Sequence, residues 1–94
     1  MIIEAVNANN KMAGWMFWCP GCECHHVYWT DYDLYAKWEF NGNLEKPTFR
    51  PSLMNTYPDG RKCHIFVTDG RIQFLGDCYH SLANQTIDMI ELER

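Results

Sequence analysis

The chain has 94 residues, which is enough for one domain with a modest hydrophobic core. Its formal net charge is −4 and its basic residues are scattered, which disfavours a nucleic-acid-binding surface. No apolar run approaches the roughly eighteen residues of a membrane span, and Met1-Ile2-Ile3 runs directly into Glu4 without the apolar stretch of a secretory signal, so we expect a cytoplasmic protein with one domain over residues 1–94.

Strand patterns dominate the first half of the chain. The run from Tyr35 to Phe40 alternates, which places Ala36, Trp38 and Phe40 on one side. Asn41-Gly42-Asn43 then predicts a turn. The other predicted strands here are Ile2 to Val6, Trp15 to Trp18 and Val27 to Thr30.

A second kind of segment runs from Pro47 to Ser52. Two prolines four positions apart exclude a regular helix or a central strand, so an extended loop or an edge is expected. Such a rigid segment suits either a crossover between sheets or an interaction loop, with Phe49 and Arg50 as anchors. The loop residues are Pro47, Thr48, Phe49, Arg50, Pro51 and Ser52.

A β-hairpin is the clearest element of the second half, after a turn at Tyr57-Pro58-Asp59-Gly60. The strands Cys63 to Thr68 and Arg71 to Gly76 flank Asp69-Gly70, a favoured type I′ turn. In that register Val67 faces Ile72, Ile65 faces Phe74, and Cys63 faces Gly76. His64 points away from Cys63, where it is either a packed or surface histidine or part of a second polar site with Asp77 or Ser81.

The C-terminal part predicts one helical turn over Tyr79 to Asn84 and a last strand over Thr86 to Leu92. No segment of ten or more residues carries a helical stripe. The predicted fold is mostly β, with a small α+β arrangement as the alternative. It is a single compact antiparallel β domain with a CPGC zinc knuckle and a Cys63–Gly76 β-hairpin.

Five cysteines and four histidines fall into tight clusters, which predicts a metal site. Cytoplasmic thiols stay reduced, so clustered Cys and His indicate ligands before disulfides. The Cys19-Pro20-Gly21-Cys22 turn can place two sulfurs on one ion. We predict one structural Zn²⁺ bound by Cys19, Cys22, Cys63 and His80.

Several donors remain as alternative ligands or as neighbours of the ligands. Cys78 competes closely with His80, because residues two apart on an extended strand share a face. His26 is the best candidate of the three donors that follow the knuckle, since it begins the next strand. The full set of alternatives is Cys78, His26, His64, Cys24, His25 and Asp77. Iron is an alternative to zinc in a thiolate-rich site.

Seven segments of the chain together carry a family resemblance: Trp15 to His26, Trp38 to Gly42, Pro47 to Leu53, Cys63 to Val67, Asp69 to Leu75, Asp77 to His80 and Leu82 to Thr86. In this order they resemble a family of small bacteriophage and prophage proteins of unknown function, some of which are labelled "ammonia monooxygenase". A chain this short shows no copper-oxygenase apparatus. The resemblance implies a phage accessory protein and points to Cys19, Cys22, His26, Cys63, His64 and His80.

The function expected from this sequence is a zinc-binding phage accessory module that binds a host or phage protein and inhibits host defence in the infected cell. We assign no catalytic residue, since HExxH and Gly-x-Ser-x-Gly motifs are absent, and a non-enzymatic role is favoured. One alternative is a small zinc-dependent hydrolase that uses His26, His64 and His80. The other is a zinc-ribbon-like nucleic-acid-binding module, which the charge disfavours. The oligomeric state is not predicted.

Overall fold

Two antiparallel sheets make up the computed structural model, which describes residues 1–32 and 37–92. Sheet A has the strand order β1-β2-β3, and sheet B has the order β4-β5-β6-β7-β8. Within the described ranges the chain contains no helix, and so no helix that could cross a membrane. The strands are β1 Glu4–Ala8, β2 Lys11–Cys19, β3 Cys24–Trp29, β4 Glu39–Phe40, β5 Phe49–Thr56, β6 Lys62–Thr68, β7 Arg71–Phe74 and β8 Thr86–Asp88.

Sheet A is a meander whose second turn is the cysteine knuckle. Strands β2 and β3 pair from Gly14 opposite Trp29 to Cys19 opposite Cys24, so the CPGC segment closes this hairpin. Glu23, at the end of the turn, has a φ of 56°. The hairpin therefore delivers the knuckle cysteines to one end of the sheet.

Sheet B is built around the hairpin predicted from Asp69-Gly70. Val67 faces Ile72 and Ile65 faces Phe74, as expected, and Asp69 and Gly70 have φ angles of 49° and 77°, both in the left-handed region of a type I′ turn. The regular ladder ends at Phe74. Leu75 N still donates to His64 O, and the chain then turns at Gly76-Asp77, where Cys78 N donates to Leu75 O. The predicted pairing of Cys63 with Gly76 is therefore absent; Cys63 faces Asn55 on β5 instead.

The core lies where the two sheets meet. The Tyr28 ring of β3 stacks on the Phe49 ring of β5, with centroids 4.2 Å apart and planes 1° apart. Phe17 also stacks on Tyr28, with centroids 5.6 Å apart. Such pairs contribute about 0.5–1.5 kcal/mol each beyond their burial. The buried side chains of this core include Ile3, Phe17, Tyr28, Phe49, Leu53, Ile65, Val67, Ile72, Phe74 and Met89.

The mostly β prediction is confirmed, and several element bounds differ from the expectation. The predicted helical turn at 79–84 is a series of hydrogen-bonded turns, in which Ala83 N donates to His80 O and Gln85 N to Leu82 O. The last strand is shorter than Thr86 to Leu92, since β8 ends at Asp88. Of the predicted run from Tyr35 to Phe40, Tyr35 and Ala36 lie outside the described residues.

The Pro47–Ser52 segment is not simply a loop or an edge. Phe49 begins β5, which pairs with β4 on one side and β6 on the other. Pro47 precedes β5, and Pro51 is accommodated because the register shifts between Phe49 and Leu53. That step of four residues on β5 faces only the two-residue step from Val67 to Ile65. Pro51 lies inside the resulting bulge, where no ladder hydrogen bond is required of it.

Candidate catalytic and metal sites

The CPGC knuckle forms a compact sulfur turn at the end of sheet A. Cys19 is the last residue of β2 and is fully buried, and the backbone N–H of Cys22 donates to its Sγ over 3.4 Å. An added Cβ on Gly21 would lie 2.3 Å from Cε1 of His80. The glycine is therefore required for the His80 ring to lie directly against the knuckle.

Cys63 and His80 approach the knuckle from sheet B. Cys63 Sγ lies 4.0 Å from Cys19 Sγ and 3.4 Å from His80 Nε2. The His80 ring is held edge-on against Phe74, with centroids 4.8 Å apart. In a tetrahedral zinc site, bonds of about 2.3 Å to sulfur and 2.0–2.1 Å to nitrogen place neighbouring sulfurs about 3.8 Å apart and sulfur about 3.5 Å from nitrogen. The Cys63–Cys19 and Cys63–His80 separations match these two distances.

Four donors thus converge on one point between the sheets. One ligand atom from each of Cys19, Cys22, Cys63 and His80 lies within 4.8 Å of every other, so the group is positioned to hold a metal ion. We call it the sulfur tetrad. Its four protein donors would fill a tetrahedral ion completely, which is the arrangement of structural rather than catalytic sites.

Protonation within the sulfur tetrad is unevenly distributed. The hydrogen bond with Cys63 lowers the pKa of Cys19 to about 4, while the same bond raises the pKa of Cys63 well above its ordinary value. Burial raises the pKa of Cys22. Cys19 is therefore the thiolate at neutral pH, and Cys22 and Cys63 carry protons that metal binding would displace.

The His80 ring must also change its hydrogen bonding when it binds an ion. The backbone N–H of Leu82 donates to Nδ1 over 3.3 Å, which suits a neutral ring whose proton is on Nε2. Coordination through Nε2 would move that proton to Nδ1 and replace this weak hydrogen bond with a metal–nitrogen bond.

A second group of donors shares Cys22 with the sulfur tetrad. Its members are Cys22, Cys24 and His26, whose ligand atoms lie within 4.8 Å of one another. His26 is only 5% exposed, and its Nε2 has no hydrogen-bond partner among the described residues. Because this group has three donors and must share Cys22, the sulfur tetrad is the more complete site.

The remaining sequence candidates lie elsewhere. His25 is exposed and packs edge-on against Trp18, since strand alternation turns it away from the side that holds Cys24 and His26. The Cys78 thiol contacts the backbone of His64 instead of the sulfur tetrad. His26, His64 and His80 fall in three different clusters, so the described residues do not form the three-histidine site of the zinc hydrolase alternative.

His64 belongs to a second polar site, on the opposite face of β6 from Cys63. Its Nε2 lies 2.9 Å from Ser52 Oγ, and its Nδ1 lies 3.3 Å from Asp77 Oδ2. Serine, imidazole and carboxylate in this sequence of contacts are the parts of a Ser-His-Asp catalytic triad. The second contact is slightly longer than the usual range of about 2.6–3.2 Å, as is common before substrate binds.

The strands explain why Ser52 reaches His64. Met54 faces His64 directly across the β5–β6 ladder, so Ser52, two residues earlier, projects from the same face. The β5 bulge ends at Leu53 and brings the Ser52 hydroxyl to the ring. Trp38 Nε1 donates to the Ser52 carbonyl over 3.1 Å and restrains its backbone.

The arrangement contains the nucleophile, base and carboxylate that acyl transfer needs. An ionised carboxylate only accepts hydrogen bonds, so Asp77 selects the tautomer with the proton on Nδ1 of His64. The lone pair on Nε2 then faces the Ser52 hydroxyl and can take its proton during attack on a carbonyl. The His64 side chain is 22% exposed and that of Asp77 44% exposed, so the triad is open to solvent.

Sequence reasoning placed His64 and Asp77 together but missed Ser52 as their partner. Ser81, the other predicted neighbour, is exposed, and its carbonyl accepts a bond from Gln85 Nε2. No local motif marks Ser52, and the chain order Ser-His-Asp differs from the orders of the well-known triads. The chain has only two serines, which was the one available signal.

The proposed interaction loop is also placed differently from the expectation. Phe49 is fully buried in the core and stacks on Phe40 as well as Tyr28, so it cannot anchor a partner. The Arg50 guanidinium donates to Phe49 O, Val67 O and Thr68 Oγ1, which fixes it along the sheet. Ser52 is the residue of this segment whose side chain contacts His64.

Comparison with known proteins identifies one family. The family model described as "Bacterial ubiquitination-like system serine protease (BubE)" matches residues 2–75. The matched range includes Ser52 and His64 and ends before Asp77 and His80. No curated protein and no solved structure matches the chain.

Proposed function

Because the chain belongs to the BubE family of bacterial ubiquitination-like system serine proteases, we propose that Ser52 is the nucleophile of a serine protease, His64 its general base and Asp77 the carboxylate that orients His64. The single observation that carries the assignment is the pair of contacts on the His64 ring, 2.9 Å to Ser52 Oγ and 3.3 Å to Asp77 Oδ2. The proposed substrate is a peptide bond in a protein of a bacterial ubiquitination-like system.

The proposed reaction follows from this geometry. Ser52 Oγ attacks the scissile carbonyl while His64 Nε2 takes the hydroxyl proton, and the same proton then passes to the leaving amine. Water attacks the resulting acyl-enzyme, with His64 again as base, and the carboxylate product leaves. Asp77 stabilises the imidazolium that forms in each half-reaction without taking up the proton.

The expectation of a phage accessory module that binds a host or phage protein and inhibits host defence is wrong. The family belongs to a bacterial ubiquitination-like system and is described as a protease. The match does not bear on phage origin. The preference for a non-enzymatic role is replaced by the proposed protease. For the zinc hydrolase alternative, His26, His64 and His80 do not meet in one site among the described residues.

We also propose that the ion of the sulfur tetrad is Zn²⁺ and that it is structural. Three thiolates and one imidazole in tetrahedral separation are a donor set that zinc prefers. All five cysteines are free, which supports a reducing compartment, the bacterial cytoplasm.

Covalent labelling tests the assignment of the nucleophile. A fluorophosphonate probe is expected to modify Ser52 in the zinc-loaded protein, and the Ser52→Ala and His64→Ala variants are expected to lose the labelling because the activated hydroxyl or its base is gone. Peptide mapping by mass spectrometry locates the adduct. Ser81→Ala removes the only other serine and is the matched control, with unchanged labelling.

Two results would contradict the assignment of Ser52 as the nucleophile. Labelling that survives His64→Ala, or an adduct on Ser81, shows that Ser52 is not activated by His64. Cleavage of a peptide substrate that persists in Ser52→Ala at the wild-type rate would likewise remove Ser52 as the nucleophile.

A further inference from the structure

The segment from Leu75 to His80 connects the triad with the sulfur tetrad. It runs beside β6, where Leu75 N donates to His64 O and Tyr79 N donates to Lys62 O, each over 2.9 Å. Between these two hydrogen bonds the chain makes a turn in which Cys78 N donates to Leu75 O over 3.2 Å, and Asp77 lies in that turn. We call residues 75–80 the aspartate arm.

The Cys78 thiol bonds to the backbone of His64 beside this turn, where the β6–β7 ladder has ended. Its Sγ accepts a hydrogen bond from His64 N over 3.3 Å and donates to His64 O over 3.3 Å. The thiol thus supplies hydrogen bonds to the backbone N–H and C=O of His64, the proposed general base. Cys78 therefore joins the aspartate arm to β6 at the backbone of His64, and the Asp77 side chain faces the His64 ring.

Both ends of the catalytic contact lie close to tetrad residues along the chain. Cys63 immediately precedes His64 on β6, and its side chain points to the opposite face. His80 follows Asp77 by three residues and ends the aspartate arm. The His80 ring is the only described side chain of the arm that belongs to a metal-donor group.

The far end of the arm is held by one backbone hydrogen bond and by ring contacts. Tyr79 N donates to Lys62 O, and the Tyr79 ring lies against the Tyr57 ring and the Arg61 guanidinium. Tyr79 is exposed, and the Asp77 side chain is 44% exposed with His64 as its partner.

The His80 ring contacts Phe74, Tyr79 and Cys63, and its Nδ1 accepts a hydrogen bond from Leu82 N. It occupies the space that a Cβ on Gly21 would fill. A bond from His80 to an ion shared with Cys63 would fix the arm against β6.

We propose that the metal site is a positioning device for the triad: an ion bound by Cys63 and His80 holds the aspartate arm so that Asp77 meets His64. The claim about the reaction rests on the proposed protease function, whereas the claim about the arm stands on the contacts alone. The ion touches no reacting atom. It acts on catalysis through His80, which is a positioning residue.

A competing explanation is that the ion only joins the two sheets. The two explanations differ for His80→Ala, because Cys19, Cys22 and Cys63 leave three thiolates that still bind zinc, with water as the fourth ligand. That variant keeps the ion between the two sheets but removes the bond between the ion and the aspartate arm. His80→Cys restores a fourth ligand at the same position.

The experiment compares wild type, His80→Ala and His80→Cys as zinc-loaded proteins, with His25→Ala as the matched histidine control outside both donor groups. Zinc per chain and tryptophan fluorescence check loading and fold. The ¹⁵N shifts of the His64 ring report whether the proton resides on Nδ1, the tautomer that Asp77 selects. A peptide substrate reports kcat and KM.

For His80→Ala we expect bound zinc and an intact fold, loss of the Nδ1–H tautomer signature, and a kcat reduced by about 100-fold at a similar KM, the size of loss that a misplacement of 1 Å can cause. His80→Cys should recover both readouts, and His25→Ala should change neither. Retention of the His64 tautomer and of kcat in zinc-loaded His80→Ala would overturn the proposal.

Two further results remain decisive. If no variant, wild type included, cleaves peptide but the His64 tautomer still follows His80, then the protease function fails and the positioning role stands. If His80→Ala does not fold, amide exchange of the wild type is measured before and after zinc removal. Faster exchange at Leu75 and Tyr79 than in the β6–β7 ladder supports the proposal, and equal acceleration throughout contradicts it.

Discussion

At the scale of single residues, the chemistry of this protein depends on what each ring nitrogen of His64 contacts. Ser52 lies on the Nε2 side and Asp77 on the Nδ1 side, so in the proposed protease the two nitrogens have separate roles as base and as hydrogen-bond donor. Because the Asp77 carboxylate is partly exposed, its contribution comes more from orienting the imidazole than from a buried charge.

The first residue-scale prediction concerns Asp77→Asn. The amide can offer its N–H to Nδ1, which favours the wrong tautomer and leaves a proton on Nε2 facing Ser52. A change of this kind lowers kcat about 10⁴-fold where the carboxylate is buried, and we expect at least about 100-fold here because solvent reaches Asp77. Steady-state kinetics on a peptide substrate measure it.

Asp88→Asn is the control for this change. Asp88 forms an exposed ion pair with Arg71 and lies away from the His64 ring, so its loss should leave kcat unchanged. Equal activity of Asp77→Asn and wild type would show that the contact with His64 does not support catalysis.

At the scale of elements, two hairpins and the β5 bulge position the residues of both sites. The β2–β3 hairpin closes through the knuckle, and the β6–β7 hairpin carries Cys63 on one face and His64 on the other. The bulge in β5 supplies Ser52 to that second face. One strand, β6, therefore serves the sulfur tetrad with one side and the triad with the other.

Gly21→Ala tests how closely the knuckle fits the aspartate arm. The new methyl group would overlap the His80 ring, whose three nearest atoms lie 2.3–2.5 Å from the added Cβ position. The ring must move out of the sulfur tetrad, so we expect zinc affinity to fall about 10–100-fold, measured by competition with a chromogenic chelator.

Gly60→Ala provides the matched glycine control. Gly60 has a φ of 91° with nothing within 4 Å of an added Cβ, so the substitution strains the backbone without touching the metal site. Its zinc affinity should equal that of wild type although its stability falls. A Gly21→Ala variant with wild-type zinc affinity would show that His80 does not need its observed position.

At the scale of the whole molecule, the sulfur tetrad is a second connection between sheets that otherwise share an aromatic core. Two of its donors come from the sheet A hairpin and two from sheet B and its following arm. In a chain of this size, apolar burial and conformational entropy nearly cancel, so a metal ion bound by the sulfur tetrad would contribute a large share of the net stability.

Zinc binding should release two protons at pH 7, one each from Cys22 and Cys63. The pKa of each of these thiols is raised in the metal-free protein, whereas that of Cys19 is lowered to about 4 and has no proton left to lose. Apparent affinity should therefore rise with pH, by up to about 100-fold per pH unit near neutrality. Calorimetry in buffers of different ionisation enthalpy counts the protons.

Cys24→Ser is the control for the proton count, since Cys24 lies outside the sulfur tetrad. It should release the same two protons as wild type. An affinity that does not change between pH 6.5 and 7.5 would contradict the assigned protonation of Cys22 and Cys63.

The sequence by itself determined the local elements. Alternation and turn chemistry predicted the β6–β7 hairpin with its register, because Asp69-Gly70 suits a type I′ turn and little else. The spacing of cysteines predicted the knuckle for a similar reason, since a Cys-x-x-Cys turn constrains its own geometry. The mostly β class followed from these local preferences and from the absence of a helical stripe.

Only the tertiary structure decided which side chains meet. Cys78 and His80 could both reach Cys63 from sequence spacing, and the turn at Gly76-Asp77 directed Cys78 to the His64 backbone and His80 to the knuckle. Ser52 reached His64 because the register of β5 shifts beside Pro51. A bulge of this kind depends on the partner strand, so no pattern within the segment itself reveals which residue it presents.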